Sequence, residues 1–275
     1  MRAFLVVNPA SRRGGQSGDA VRAELARLGV EIVQQWPSTG AVDAIVVAGG
    51  DGTLVGEIPR AIEHGVPIGL VPLGTFNDLA RTLSIPLDIE RACALIAAGH
   101  TRTIDAARVN GRCYVTEASV GLSSRLTRLQ RPVDKQRFGL LAAAASLLQA
   151  VRFARPFHVE IVGGGQRTCL RAIQVTVANS PRFAAFIVDP TAAIDDGRLD
   201  CYCVELRSAL DFFSIAAAIA RRRRSAQGLR TFRAEEFEVR TRRPHRISAD
   251  GEPAGTTPAR FEILRNALRI FAPPP

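Results

Sequence analysis

Residues 45 to 54 read Ile45-Val46-Val47-Ala48-Gly49-Gly50-Asp51-Gly52-Thr53-Leu54, so an apolar run meets three glycines placed around an aspartate. The run predicts a buried strand, and the carboxyl end of such a strand is where open α/β sheets bind ligands. Glycines let the backbone approach phosphate oxygens, and free N–H groups with a helix dipole favour that negative charge. A plain strand-to-helix turn needs one glycine, so the stretch indicates a phosphate-binding loop.

Three familiar nucleotide motifs do not fit this loop. A Walker A loop and a protein kinase both require a lysine at the phosphates, and the only lysine, Lys135, lies outside any glycine-rich segment. A Rossmann fingerprint would place a third glycine where Val55 stands. The loop is therefore of another class.

Strand and helix signals alternate on both sides of this loop. Apolar runs at Ala3–Val7, Glu31–Val33 and Pro67–Val71 are separated by helical spacing, which predicts a parallel α/β domain. From about Arg102 strand signals dominate. We place an α/β domain at residues 1–104 and a β domain at 105–261, with a strand in 262–275 that can pair with either.

The composition limits the class of protein. The chain has 275 residues, 47% hydrophobic and 23% charged, which is enough for two globular cores. The apolar stretch Phe138–Val151 is shorter than the ~20 residues that a membrane helix needs, and the N-terminus has no cleavage-site pattern. Five scattered cysteines match neither zinc nor redox spacing. We expect a reduced, cytoplasmic protein without a transmembrane helix or secretion signal.

The net charge of +10 favours anionic partners. The run Arg221–Arg224 is open to two interpretations, contact with phosphates or lipid headgroups and a solvated helix end. Basic residues are not interleaved with aromatic residues in a recognition motif, so we expect that nucleic acid is not a partner of this protein.

Two companion loops follow other strands of the first half. They are Asn8-Pro9-Ala10-Ser11-Arg12-Arg13-Gly14-Gly15 and Pro72-Leu73-Gly74-Thr75-Phe76-Asn77-Asp78. Carboxyl ends of parallel strands share one edge, so the three loops should line one crevice. Phosphate donors would be Ser11, Arg13, Thr53 and Thr75, and a magnesium-and-water cluster could gather at Asp51, Asp78 and Asp105. Asn77-Asp78 alone fits a helix cap equally well.

Four motifs occur in a fixed order. They are Gly-Gly-Asp-Gly-Thr, Pro-Leu-Gly-Thr-x-Asn-Asp, Ile194-Asp195-Asp196-Gly197 and Asp250-Gly251-Glu252. Together they resemble the diacylglycerol kinase catalytic family, in particular its soluble bacterial lipid kinases, which are related to sphingosine and ceramide kinases. The likeness covers essentially the whole chain. It implies an α/β plus β fold: a three-layer α/β/α nucleotide domain like that of NAD kinases and phosphofructokinases, then a β-sandwich, with catalysis between them.

The resemblance also implies site residues. It suggests ATP contacts at Asn8, Pro9, Ala10, Ser11, Arg12, Thr39, Gly50, Asp51, Gly52, Thr53 and Thr75. From their place in the loops we add Arg13, Gly49, Gly74, Asn77 and Asp78. The implied base is Glu252, beside Asp250 and with Asp51 as a further catalytic carboxylate. A structural magnesium is implied at the Asp196 side chain and the carbonyls of Ala193 and Arg198.

The chemistry agrees with these roles. Phosphoryl transfer needs neutralised phosphate charge, a metal and a carboxylate that reaches the attacking hydroxyl. Asp250-Gly251-Glu252 could supply that carboxylate, although Asp-Gly also favours a tight turn between strands. The chain departs from the family at Val55-Gly56, where Asn-Glu is usual; its glutamate, Glu57, stands one place late. The stretch Arg182–Ile187 also lacks the glycines that are usual in the family.

The lipid substrate depends on the resemblance. The apolar segments Arg137–Phe153 and Phe183–Val188 could line a slot for acyl chains, or simply form core. We expect a lipid at the membrane surface as substrate, anionic lipids as reversible docking partners, and keep a homodimer open. Two other functions remain: a kinase of a soluble small molecule, similar to NAD kinase, and a non-catalytic nucleotide or lipid sensor.

Overall fold

The protein is described here from a computed structural model. It describes residues 1–8, 14–37, 41–75, 77–121, 155–183, 186–187, 192–205, 211, 214 and 226–274.

The first half alternates strands and helices as predicted. Its elements are β1 (Arg2–Val7), α1 (Gly14–Arg27), β2 (Glu31–Val33), β3 (Ala44–Gly49), α2 (Asp51–His64), β4 (Ile68–Pro72), α3 (Asp78–Thr82) and α4 (Ile89–Ala98). The strands pair in parallel in the order β2-β1-β3-β4. Every residue of β3 and β4 is buried, because helices cover both faces of a parallel sheet.

Each face of this sheet has its own core. Helices α2 and α3 contribute Leu54, Ile58 and Leu79 to one side. Helices α1 and α4 contribute Leu25 and Ile96 to the other side. The result is a three-layer α/β/α unit.

The second half consists mainly of strands. They are β5 (Thr101–Val109), β6 (Arg112–Tyr114), β7 (Glu117–Gly121), β8 (Phe157–Gly163), β9 (Gln166–Ala172), β10 (Gln174–Ala178), β11 (Arg182–Phe183), β12 (Phe186–Ile187), β13 (Leu199–Val204), β14 (Leu229–Ala234), β15 (Glu236–Thr241), β16 (Arg246–Ala249), β17 (Glu252–Thr256) and β18 (Ala259–Phe271).

These strands form a β-sandwich over a separate core. One sheet runs β14-β13-β10-β7-β16-β17, and the other extends the parallel sheet in the order β4-β18-β15-β8-β9. The core between them is built on Tyr114, Phe237 and Phe261, all fully buried. The predicted fold, an α/β/α nucleotide unit followed by a β-sandwich, is confirmed. In the part of the chain that is described, no helix combines the length and apolarity that a membrane crossing demands.

Strands β5 and β18 join the two halves. They pair with each other in both halves. The end of β18 also pairs in parallel with β4, where Ile270 lies opposite Ile68. The β5–β18 register shifts between Leu264 and Leu268. At this irregularity the Asp105 carboxylate accepts the Asn266 N–H at 2.7 Å. Asp105 thus holds the point where β18 passes from one half to the other.

Candidate active site

The three predicted loops meet at the carboxyl edge of the parallel sheet. The Asn8 side-chain amide donates to Thr53 Oγ1 at 3.0 Å, which ties the end of β1 to the glycine loop after β3. The Leu73 N–H donates to the Gly49 carbonyl at 2.9 Å, which ties in the loop after β4. The described parts of the three loops thus lie at one edge of the sheet, and the crevice that they would line stays a prediction.

Two glycines bring the second and third loops into contact. A β carbon on Gly50 would lie 3.1 Å from Gly74 Cα, and one on Gly74 would lie 2.6 Å from Gly50 Cα. Neither position accepts a side chain without moving the other loop. Gly50 is also the N-cap of α2, so no side chain caps this helix. Its first turn therefore keeps N–H groups available for an anion.

Asp51 holds the third loop in place. Its carboxylate accepts the Asp78 N–H at 3.3 Å and the Leu79 N–H at 3.5 Å, at the start of α3. Asn77, with a φ of 51°, instead clasps Gly74, accepting its N–H and donating to its carbonyl. The side chain that caps α3 is therefore Asp51, and not Asn77 or Asp78 as the helix-cap alternative proposed.

Asp250 anchors the turn between β16 and β17. Asp250 and Gly251 both have positive φ, 46° and 87°, as a type I′ turn requires. The Asp250 carboxylate accepts backbone N–H groups from Val115 at 2.7 Å, Thr116 at 3.0 Å and Glu117 at 2.9 Å. Both oxygens are therefore engaged, which gives Asp250 a positioning geometry rather than that of a proton acceptor.

Glu252 has the opposite environment. It is exposed, and within the described residues no hydrogen bond or ion pair engages its carboxylate. A β carbon placed on Gly52 would lie 3.5 Å from Glu252 Oε1. The sandwich thus presents an unengaged carboxylate directly over the first turn of α2.

Negative charge accumulates beneath this turn. Burial raises the pKa of Asp250 to about 6, against the lowering effect of its three N–H bonds, and the Asp51 charge adds to the rise. Burial likewise raises the pKa of Asp51, with the Asp78 charge contributing in the same direction. The site therefore favours a proton or cation among these carboxylates.

Glu117 is a member of this cluster that the sequence analysis missed. Burial raises its pKa well above the ordinary value, and the charges of Asp250 and Asp78 add to the effect. Its Oε2 atom is buried without a hydrogen-bond partner. The signal in the sequence was a glutamate that opens a strand, β7, whose other residues are all small or apolar or both.

Asp105 is engaged by backbone N–H groups, and its place in the predicted Asp51, Asp78 and Asp105 cluster stays a prediction. Its second oxygen accepts the Gly197 N–H at 2.7 Å, so both oxygens serve the strand irregularity and the nearby loop. Across the described ranges, no three acidic, histidine or cysteine side chains have spacing suited to a metal ion. Pro9, Ala10, Ser11, Arg12, Arg13 and Thr39 lie outside the described residues, as do Arg137–Phe153 and Arg221–Arg224.

The residues implied for a structural magnesium fit that ion poorly. The Asp196 carboxylate closes its own loop, accepting N–H groups from Ala193 at 3.1 Å and Arg198 at 3.0 Å. It also forms an ion pair with Arg233 at 2.5 Å. A guanidinium therefore stands beside the only side-chain ligand that was predicted.

Comparison with known proteins gives consistent results. The family described as "Diacylglycerol kinase catalytic domain" matches residues 2–109. The family "YegS C-terminal NAD kinase beta sandwich-like domain" matches residues 116–272. A solved Bacillus anthracis structure, described as that of a diacylglycerol kinase, superposes with a TM-score of 0.78 at 23% identity, covering 99% of this chain and 97% of that one.

Curated relatives extend the match along the chain. The Bacillus subtilis "Diacylglycerol kinase" is 29% identical over 84% of this chain and 78% of its own length. The Salmonella heidelberg "Probable lipid kinase YegS" is 31% identical over 94% of this chain and 84% of its own length. A Synechocystis protein of unassigned function is 28% identical over 86% of this chain, which spans 56% of that relative.

The family models and the named relatives place the chain in the lipid kinase class. The chain belongs to the diacylglycerol kinase catalytic family, with the YegS-type β-sandwich as its second half.

Proposed function

We propose that this protein transfers the γ-phosphoryl group of ATP to a hydroxyl of a diacylglycerol-like lipid, with Glu252 as the general base. The observation that carries the proposal is the unengaged Glu252 carboxylate, which faces Gly52 at the start of the uncapped helix α2. A base must reach the attacking hydroxyl while phosphate occupies the glycine loop. This arrangement supplies both conditions.

The nucleotide half of the proposal depends on the paired glycine loops. Gly50 and Gly74 leave the backbone exposed where the loops touch, and the dipole of α2 favours phosphate charge. Asn8 and Thr53, joined by a hydrogen bond, place polar groups at the same edge. ATP fits this cradle better than an uncharged ligand would.

A magnesium ion is expected to accompany the ATP phosphates. The residues suited to hold it, together with those phosphates, are Asp78 and Asp51, whose charges lie close enough to raise the pKa of Asp51. When bound, such an ion neutralises charge on the transferring phosphoryl group.

The residues of the chain divide the remaining work. Asp250, held by three N–H groups, keeps the Ala249-Asp250-Gly251-Glu252 turn rigid, and the turn delivers Glu252 to the cleft. Glu252 then takes the proton of the lipid hydroxyl as the hydroxyl oxygen attacks the γ-phosphorus, and the bond from the γ-phosphorus to the bridging oxygen breaks to release ADP. Because both Asp250 oxygens accept N–H groups, Glu252 is the better acceptor of the two.

We further propose reversible docking on anionic membranes. The outer face of β8, β9 and β15 borders a cleft of about 880 Å³ that is lined by His158, Arg171, Arg240 and Arg242, with Glu160 among them. Arg240 is paired with Glu160 and Glu238, whereas exposed Arg171 and Arg242 form no ion pair with a described residue. Exposed arginines that no described carboxylate neutralises attract acidic headgroups.

The test is a transfer assay with γ-labelled ATP. Purified protein is offered diacylglycerol, ceramide and sphingosine in mixed micelles, and NAD and glycerol in solution. We expect label in a lipid product, with diacylglycerol preferred, and its loss in Glu252→Gln. Label in a soluble acceptor alone, or ATP binding without transfer to any acceptor, would refute the proposed substrate.

A further inference from the structure

The loop from Ala193 to Arg198 is held by an internal set of hydrogen bonds. Asp196 accepts N–H groups from both ends of the loop, and Gly197 adopts a φ of 69°. The Asp105 backbone N–H donates to the Ile194 carbonyl at 2.9 Å, while its carboxylate accepts the Gly197 N–H. The loop is thus docked on β5 at the junction of the two halves.

Arg233 of β14 supplies positive charge to this loop. Its guanidinium lies 2.5 Å from Asp196 Oδ2 and 3.4 Å from Asp200 Oδ1. The register of β13 and β14 places Arg233 directly opposite Asp200, so the strand pairing fixes the position of the guanidinium. The Asp200 side chain is only 5% exposed, and those of Arg233 and Asp196 about a quarter.

Other arginines neutralise the rest of the loop. Arg102 pairs with Asp195 at 3.5 Å. The Arg265 guanidinium covers Gly197 so closely that a β carbon there would lie 2.9 Å from Arg265 Nε. Each loop carboxylate therefore has a cationic partner supplied by the chain itself.

We propose that the Arg233 guanidinium is the resident cation of this loop and takes the place of the structural magnesium implied by the family resemblance. Magnesium binds oxygen at about 2.1 Å and demands near-octahedral ligands. An ion on Asp196 would share that carboxylate with a full positive charge, and like charges at such range repel strongly in a partly buried site. Arg233 instead lies between two carboxylates, donating a hydrogen bond to Asp196 and forming a longer ion pair with Asp200 at 3.4 Å.

This inference is independent of the substrate. The folded loop needs no divalent ion, so any magnesium requirement arises with the nucleotide. Because the arginine is covalently attached, chelators cannot remove it, and the junction between the two halves stays ordered when magnesium is absent.

The test is thermal unfolding of the nucleotide-free protein in EDTA and in millimolar magnesium chloride. We expect the same Tm in both for the parent. Arg233→Met leaves Asp196 and Asp200 without their cation, so its Tm should fall by about 5 °C in EDTA and recover partly with magnesium. Arg233→Lys, which keeps the charge, should fall less.

Two further variants make the result decisive. Arg260→Met removes an exposed ion pair with Glu236 and should show no magnesium dependence. If magnesium raises the parent Tm and Asp196→Asn abolishes that rise, the inference is overturned. If the rise persists in Asp196→Asn, the ion binds at another site and the inference stands. Should Arg233→Met fail to fold, the parent and Asp196→Asn comparison decides alone.

Discussion

Glu252 and Gly52 face each other across the junction of the two halves, with Glu252 Oε1 3.5 Å from where a Gly52 β carbon would stand. The glycine leaves the N-terminus of α2 open, and the glutamate brings the one predicted catalytic carboxylate that no described residue engages. A phosphate on the helix and a hydroxyl beneath the glutamate would then be neighbours.

Glu252→Gln should slow the chemical step without weakening ATP binding. The amide keeps the size of the side chain but cannot take a proton, and general-base catalysis contributes about a hundred- to ten-thousand-fold. We expect kcat to fall at least ~100-fold. Steady-state kinetics and direct ATP binding measure the two effects. Glu236→Gln, at an exposed ion pair, is the matched control, and a near-parental rate in Glu252→Gln would place the base elsewhere.

Gly52→Ala should weaken ATP binding, whereas Gly56→Ala should not. Both glycines lie in α2 and are exposed, but only Gly52 faces Glu252. The added methyl at Gly52 obstructs the approach of phosphate, while alanine at Gly56 should stabilise the helix by about 1 kcal/mol. Calorimetric ATP titration and urea unfolding separate these outcomes. Equal ATP affinity in both folded variants would contradict the loop assignment. Gly50 is a poorer test, because a side chain there meets Gly74.

Asp250→Asn should show a pH-dependent loss of stability. The pKa of Asp250 is raised from 3.8 to about 6 in the folded state, so its titration favours folding at low pH and this contribution is lost as pH rises to about 6. Two pKa units correspond to about 3 kcal/mol. At every pH the asparagine side chain lacks one of the two oxygens that accept N–H groups, and it does not titrate. Its deficit in unfolding free energy should therefore shrink from pH 4 to pH 7, and a deficit that grows would contradict the raised pKa.

Glu117→Gln should be tolerated. Burial and the charges of Asp250 and Asp78 favour the neutral carboxyl, which glutamine resembles. Because the folded pKa is raised, the wild type loses stability as pH rises through it, and the variant does not. We expect Glu117→Gln to gain in relative unfolding free energy as pH rises above the ordinary glutamate pKa of 4.5, with activity retained. A large loss of kcat at constant ATP affinity would instead identify an ionised, catalytic Glu117.

Arg171→Gln with Arg242→Gln should reduce binding to anionic vesicles. At about 1 kcal/mol for each basic residue near an acidic surface, the loss should be about thirtyfold at low salt and smaller at high salt. The control, Arg22→Gln with Arg91→Gln, removes equal charge from helices α1 and α4, where both arginines pair with acidic neighbours. Vesicle sedimentation compares the two. Equal losses would mean that net charge alone directs docking.

The glycine-loop stretch and its flanking pattern predicted much of the fold. Apolar runs such as Ile45–Ala48 and Pro67–Val71 are local signals, so β3 and β4 lie where the sequence placed them. Strand-end loops meet because parallel strands share an edge, which the sequence also indicated.

The sequence by itself determined the α/β pattern, the phosphate loop and the ordered motifs, because strand period, helix period and turn chemistry act between near neighbours. Only the tertiary structure decided what the carboxylates do. Asp51 caps α3, Asp250 clamps the start of β7, and Asp105 holds a strand irregularity, while Glu252 is the predicted catalytic group that no described residue engages. These roles depend on strand register and on which loops pack together across the chain, and no local pattern encodes either.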